Sequence, residues 1–257
     1  MIPYAVNYSS AAASLRRRGE IEFDLFKCPA WPTMIRRVQA EYPLYVHFPL
    51  RVGTGVEEPI NTETGAPPDW ARMEAMCEET ETPWVSVHLG AKPADHPSIP
   101  PASTEPADLI KVGDALIRDL ESVVARFGPE RVVAENIFEY YGMHLRAAVL
   151  PKVITRVVEA TGCGLLLDLS HARLAARDLG MDPFEYMDAL PVHRLKEVHI
   201  TGIQKIEGRW IDRLRAEHVA QSKIEELSGR EIDHVPMTTR DWPMLTSALE
   251  RIDSGAW

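Results

Sequence analysis

Apolar positions along the chain follow two alternating patterns. Short runs of β-branched or aromatic residues read as strands: Pro3 to Asn7, Glu22 to Lys27, Leu44 to Phe48, Trp84 to Leu89, Arg131 to Glu135, Gly164 to Asp168 and Glu197 to Thr201. Between them lie segments with helical spacing. The clearest carries Leu109, Val112, Leu116, Leu120, Val123 and Phe127, in steps of three and four that place all six on one face. Thr104, Glu105 and Pro106 supply its cap and first turn, and Gly128 with Pro129 ends it. A second helix is predicted over Leu145 to Ala160, with Leu150, Ile154, Val157 and Val158 apolar and Gly162 just beyond.

Strands such as Leu165-Leu166-Leu167 and Val132-Val133-Ala134 are apolar throughout, as happens when helices cover both faces of a parallel sheet. Repeated strand–helix units of this length predict an α/β fold, a (β/α)8 TIM barrel that is complete or lacks its eighth strand. The second possibility arises because Ser254-Gly255-Ala256-Trp257 follows directly on a helix-like segment, Trp242 to Ile252. A doubly wound open sheet is the rival, but Asn7-Tyr8-Ser9-Ser10 after the first strand is no Gly-rich phosphate loop. No boundary is visible, so residues 1–257 read as a single domain. The proline-rich stretch from Gly90 to Asp108 reads as a stiff loop over the barrel mouth, and Gln204 to Ile232 as a second, strongly charged insert.

Charge narrows the partners. Lys and Arg total 28 against 38 for Asp and Glu, a formal net charge of −10, which disfavours non-specific attraction to nucleic acid or anionic lipid. No run approaches the roughly 18 apolar residues of a membrane helix. The basic cluster Arg16-Arg17-Arg18 follows a small-residue run instead of preceding it, unlike a secretory signal, so a cytoplasmic protein is expected. Cys28, Cys77 and Cys163 are odd in number and widely spaced, and read as reduced packing thiols.

The informative chemistry lies at the strand ends. His47 ends Leu44-Tyr45-Val46, His88 ends Val85-Ser86-Val87, Glu135 ends Val132-Val133-Ala134, Asp168 ends Leu165-Leu166-Leu167, and His199 follows Val198. The intervals of 41, 47, 33 and 31 residues are each one strand–helix unit, so in a barrel all five side chains converge on the carboxyl-terminal face. His171, three residues beyond Asp168, can swing to the same centre. Singly, such a histidine is an ordinary satisfied polar residue and such a carboxylate a helix cap. Together they would bury charge without compensation unless cations sit among them, and this mixture of imidazole and carboxylate suits iron, zinc or manganese. His96, His144 and His193 are expected to be solvated, and Trp31, Trp84, Trp210 and Trp242 to pack. Lys27, Asn7 and Tyr8 stand at strand ends from which substrate is within reach.

The motifs Val46-His47-Phe48-Pro49, Val87-His88-Leu89-Gly90, Ala134-Glu135-Asn136, Leu167-Asp168-Leu169-Ser170-His171 and Val198-His199-Ile200-Thr201-Gly202 resemble those of the xylose-isomerase-like barrels. Single-metal sugar epimerases of that superfamily generally lack the equivalents of His47 and His88, so the comparison tilts toward endonuclease IV and the multinuclear non-haem iron oxygenase-like group. Asp168-x-x-His171 is similar to the former. The leucine–proline step of Leu190-Pro191 before a strand ending in His199 and Gly202 is similar to the latter, which is preferred. The resemblance implies two or three divalent ions, iron first and zinc or manganese as alternatives. Glu135 would bridge two of them, with Asp168 and His199 on one and His47 and His88 on the other. His171 would serve a third ion or face the substrate, and Glu135 and His171 would carry the catalytic roles. The late ligand it calls for falls to His234, in Asp233-His234, ahead of the wider-spaced Asp212 and His218. The implied activity is an iron-dependent oxidoreductase that acts on a peptide or a small thiol or carboxylate substrate, delivered by a partner protein. Metal-dependent phosphodiester hydrolysis and sugar isomerisation or epimerisation are the alternatives.

Overall fold

The computed structural model describes residues 2–257. Its strands are β1 (Ala5–Asn7), β2 (Leu25–Pro29), β3 (Leu44–His47), β4 (Leu50–Val52), β5 (Ile60–Asn61), β6 (Val85–Leu89), β7 (Val132–Glu135), β8 (Gly164–Asp168), β9 (Leu195–His199), β10 (Gly202–Lys205) and β11 (Glu231–Val235). β1, β2 and β3 pair in parallel, and so do β4, β6, β7, β8 and β9, both sets in chain order. β3 and β4 are one stave interrupted at Phe48-Pro49, because proline has no N–H to give a ladder.

The architecture is therefore an α/β barrel of the TIM type with parallel staves whose carboxyl ends share one mouth. Among the described residues no strand pairs with the outer edge of β9 or of β1. Between the two sheets, Lys27 of β2 nevertheless reaches within 3.1 Å of His199 on β9. The core is densest at β7 and β8, where Val132, Val133, Ala134, Leu165, Leu166 and Leu167 are fully buried. Burying a side chain of this size stabilises by roughly 1.5–3 kcal/mol.

Several sequence expectations shift in detail. The second and last barrel strands run over Leu25–Pro29 and Leu195–His199, displaced by two residues or so from their predicted spans. The helix predicted over Leu145 to Ala160 is two, Arg146–Val149 and Pro151–Thr161, because Leu150 is extended before Pro151 and proline is tolerated only at the start of a helix. The charged insert holds the antiparallel pair β10–β11 and the helices Arg209–Ala216 and Gln221–Leu227. Trp31 and Trp242 do not pack inside, being 49% and 54% exposed. Among the described residues no helix is long and apolar enough to cross a membrane.

Two buried ionic devices hold the loops that frame the mouth. Asp119, on the long helix Pro106–Phe127, accepts from the backbone N–H groups of Gly53, Thr54 and Gly55 and the Thr54 hydroxyl through Oδ2, and from Glu57 N–H through Oδ1. Arg51 on β4 donates to the Gly90 carbonyl and to Asp95, each at 2.7 Å, and so fastens the proline-rich loop.

Candidate metal centre

Glu135 is the hub. It ends β7 and is only 2% exposed. His47 Nε2 and His88 Nε2 lie 3.6 and 3.3 Å from its Oε2, and His171 Nδ1 and His199 Nδ1 lie 3.5 and 4.0 Å from its Oε1. Oε2 is buried and has no hydrogen-bond partner. A buried oxygen in that state is costly, and the atoms around it are ring nitrogens that can ligate. Burial raises the Glu135 pKa, but the four imidazoles, His88 first, outweigh it and hold the carboxyl well below the usual carboxylate range.

Each ring is oriented from behind. His88 Nδ1 donates to the Leu50 carbonyl at 3.0 Å, which leaves the Nε2 lone pair facing Glu135. His47 Nδ1 lies 3.0 Å from the Ser86 hydroxyl. Burial, then the Lys27 ammonium, drive the His47 pKa well down, so the ring is neutral and its Nε2 is free to bind. His199 is turned the other way, with Nε2 2.6 Å from Glu197 Oε1 and Nδ1 toward the hub. Neutral imidazole anchored at one nitrogen is the form that ligates a metal.

Asp168 and His171 come from the β8 end. Asp168 is 2% exposed; its Oδ1 accepts the His171 N–H and so caps the helix Leu169–Leu179. Asn136 clasps the Asp168 backbone at both its N–H and its carbonyl. His171 Nδ1 donates to the Asn136 carbonyl at 2.8 Å, and its Nε2 lies 2.9 Å from Asp233 Oδ2. Both nitrogens thus face acceptors. Burial opposes protonation, but Asp168 and Asp233 raise the pKa to about 10.

The pair Asp233-His234 sits in β11. Asp233 points into the cluster, while His234, at φ 57°, lays Nδ1 2.8 Å from the same Asp233 oxygen with its side chain 61% exposed. Three sets of donor atoms lie within 4.8 Å of one another: His47, Glu135 and His199; Glu135, Asp168 and His171; and His171, Asp233 and His234. The structure thus brings His47, His88, Glu135, Asp168, His171, His199 and His234 to one place. Asp212 and His218 stay on an exposed helix and its end, away from it.

Sequence reasoning overlooked Asp233 as a group aimed at His171, and also Tyr45, Ser86 and Glu197. A signal existed for the last three. Each precedes a strand-end histidine by two residues, and period two puts it on the same face. Two expected solvated histidines are instead anchored: His96 Nε2 on the Gly53 carbonyl and His144 Nδ1 on the Phe138 carbonyl. Burial first of all lowers the His144 pKa to about 4. His193 is exposed and pairs with Glu159. Tyr8 packs edge-on against Phe26, outside the cluster.

Fold and site together define an α/β barrel with a centre able to hold more than one cation. Residues 25–236 match the family described as "RiPP precursor modification enzyme MbnB/TglH/ChrH", and the chain belongs to that family. The chain is 28% identical over 174 residues to a UPF0276 protein of Acaryochloris marina, a match covering 66% of this chain and 59% of the relative. A UPF0276 protein of Caulobacter vibrioides is equally similar at 28%, with 66% and 58% covered. The match thus spans somewhat under two thirds of the length of these relatives. Among solved structures, D-psicose 3-epimerase is 12% identical with a TM-score of 0.47, covering 85% of this chain and 82% of that one. The 3-keto-D-glucoside 4-epimerase of E. coli is 19% identical with a TM-score of 0.45, covering 85% and 89%.

Proposed function

We propose that the protein is a multinuclear iron-dependent oxidoreductase that modifies a ribosomally made precursor peptide, presented by a partner protein. The observation that carries this reading is the unpartnered Oε2 of buried Glu135, ringed by imidazole nitrogens. Cations relieve that arrangement, and no hydrogen-bond donor does so in the protein alone. His47 and His88 would help to hold one ion and Asp168 and His199 a second, with Glu135 shared between them. Asp233, His171 and His234 would hold a third. Bound iron supplies the one-electron chemistry with dioxygen that oxidation of a peptide thiolate or carboxylate-bearing residue requires.

The chain's own groups do the rest. Leu50 and Ser86 fix the His88 and His47 rings, so little reorganisation accompanies binding. His171 carries a proton on Nε2 against Asp233. With two ions bound, that proton is available to a substrate atom; with three, a cation takes its place. Phe138 lies tilted beside His171, ring centroids 5.4 Å apart, and Tyr140 meets Phe138 edge-on at 5.2 Å.

Elemental analysis of protein purified without added metal tests the reading. Iron at two or more equivalents is expected, and oxygen uptake should follow addition of the cognate peptide. Zinc without iron, together with cleavage of an abasic-site duplex, would replace this reading with hydrolysis. Glu135→Gln should lose more than one equivalent of metal, as a bridging ligand must.

A further inference from the structure

The His199 ring is flanked by two charged residues outside the proposed ligand set, Glu197 and Lys27. Glu197 Oε1 lies 2.6 Å from Nε2 and also accepts the Tyr45 hydroxyl at 2.7 Å. Lys27 Nζ lies against the ring, 3.1 Å from Nδ1 and 3.4 Å from Nε2. A carboxylate only accepts and an ammonium only donates. Nε2–H therefore donates to Glu197, which leaves the Nδ1 lone pair in the ring plane with the ammonium beside it.

Nδ1 is also the nitrogen nearest the hub, 4.0 Å from Glu135 Oε1. The atom that would ligate thus stands 3.1 Å from an ammonium. Strand register explains how the lysine gets there. Asn7, Lys27 and Tyr45 lie side by side across β1, β2 and β3, one level below His47. From that level Lys27 crosses the unpaired seam to β9.

Resting on the metal-centre reading above, we propose that Glu197 and Lys27 are opposing positioning residues that set the metal affinity of His199. Glu197 strengthens binding because it fixes the tautomer and makes Nδ1 a better donor. Lys27 weakens it because a cation on Nδ1 must bear the like charge of the ammonium a few ångströms away. Outer partners of ligating imidazoles are worth about 10–100-fold in metal affinity, and like charges a few ångströms apart repel appreciably near a protein surface.

Metal-free protein titrated with Co2+ alone, in competition with a chromogenic chelator, tests this. Wild type should take up the metal in resolvable equivalents. Glu197→Gln should weaken one of them by about tenfold or more, Lys27→Met should tighten the same one, and Lys27→Arg, which keeps the charge, should not. The visible absorption of bound Co2+ should shift in Glu197→Gln, which a general loss of stability would not cause. Affinities that move together in Glu197→Gln and Lys27→Met, or that stay at the wild-type value, overturn the proposal and leave the metal centre standing. A wild-type protein that binds no Co2+ overturns both. If Glu197→Gln fails to fold, Tyr45→Phe decides the point, since it removes the other donor to Glu197 and should weaken the same equivalent by a smaller factor.

Discussion

Histidine is used here in distinct protonation states within one barrel mouth, and each state follows from what its nitrogens face. His171 meets acceptors at both nitrogens and is held protonated, whereas the half-buried His47 and His144 are held neutral. His144 lies outside the donor groups, so its effect on stability can be isolated. Its pKa falls from 6.5 in the unfolded chain to about 4 in the fold. Between those values the unfolded state binds the extra proton, so stability is fully present above about pH 6.5 and drains away as the pH falls toward 4. The slope integrates to about 3 kcal/mol. In urea unfolding curves across that window, His144→Gln, which keeps a donor for the Phe138 carbonyl, should lose less stability on acidification than wild type by about that amount. Equal losses would mean the imidazole is not the titrating group. Side-chain direction also decides how much of the centre could be read from sequence. The convergence of His47, His88, Glu135, Asp168 and His199 was legible because each stands at the carboxyl end of a strand in a parallel ladder, at intervals of one strand–helix unit. The layer beneath them, Tyr45, Ser86 and Glu197, obeys the same period of two, but serine, tyrosine and an extra glutamate in a strand carry no chemical alarm by themselves. Asp233 was hidden because the turn of His234 into positive φ cannot be read from its neighbours.

At the scale of elements, strands and long helices were legible and their junctions were not. The helix Pro106–Phe127 declares itself by an apolar face sustained over its whole length, with Pro106 at its start and Gly128 at its end, φ 86°. Strand ends move by a residue or two because propensity cannot say where pairing stops. The division of the predicted Leu145 to Ala160 helix turns on one proline at a position where helices commonly start. What the pattern could not reveal is the joint between the helix Pro106–Phe127 and the loop after β4, because it rests on a single buried carboxylate. Asp119 is fully buried and satisfies the orphan N–H groups of Gly53, Thr54, Gly55 and Glu57. Asp119→Ala would leave those donors without a partner, at about 1–3 kcal/mol for a buried group that loses its bond. We expect a loss of at least about 3 kcal/mol in total, seen as a lower urea midpoint, with faster amide exchange at residues 53–57. A loss below about 1 kcal/mol would show that water replaces the carboxylate there.

Across the whole molecule, the proposed ligands tie together elements that the hydrogen-bond ladder leaves separate. They come from the ends of β3, β6, β7, β8 and β9, from the helix Leu169–Leu179, and from β11, which pairs only with β10 among the described residues. β9 and β1 are edges without a further strand among those residues, and their side chains are more exposed than those of the uniformly buried β8. A centre spanning these elements binds the folded state alone, so its occupancy adds to global stability. For a site at a thousandfold over its dissociation constant the gain is about 4 kcal/mol, or roughly 8–16 °C of melting temperature in a chain of this size. Chelation should therefore lower the melting temperature by several degrees, and re-addition of metal should restore it. Glu135→Gln separates the cation's contribution from that of packing. Without metal, the neutral amide escapes the cost of a buried charged oxygen lacking a hydrogen-bond partner but also loses the attraction of the imidazoles around it, so the variant should melt close to the metal-free wild type. With metal it should gain far less than wild type, because the bridge is gone. A variant that melts well below wild type in both states would place the role of Glu135 in packing, and the cations would then not be what holds the mouth together.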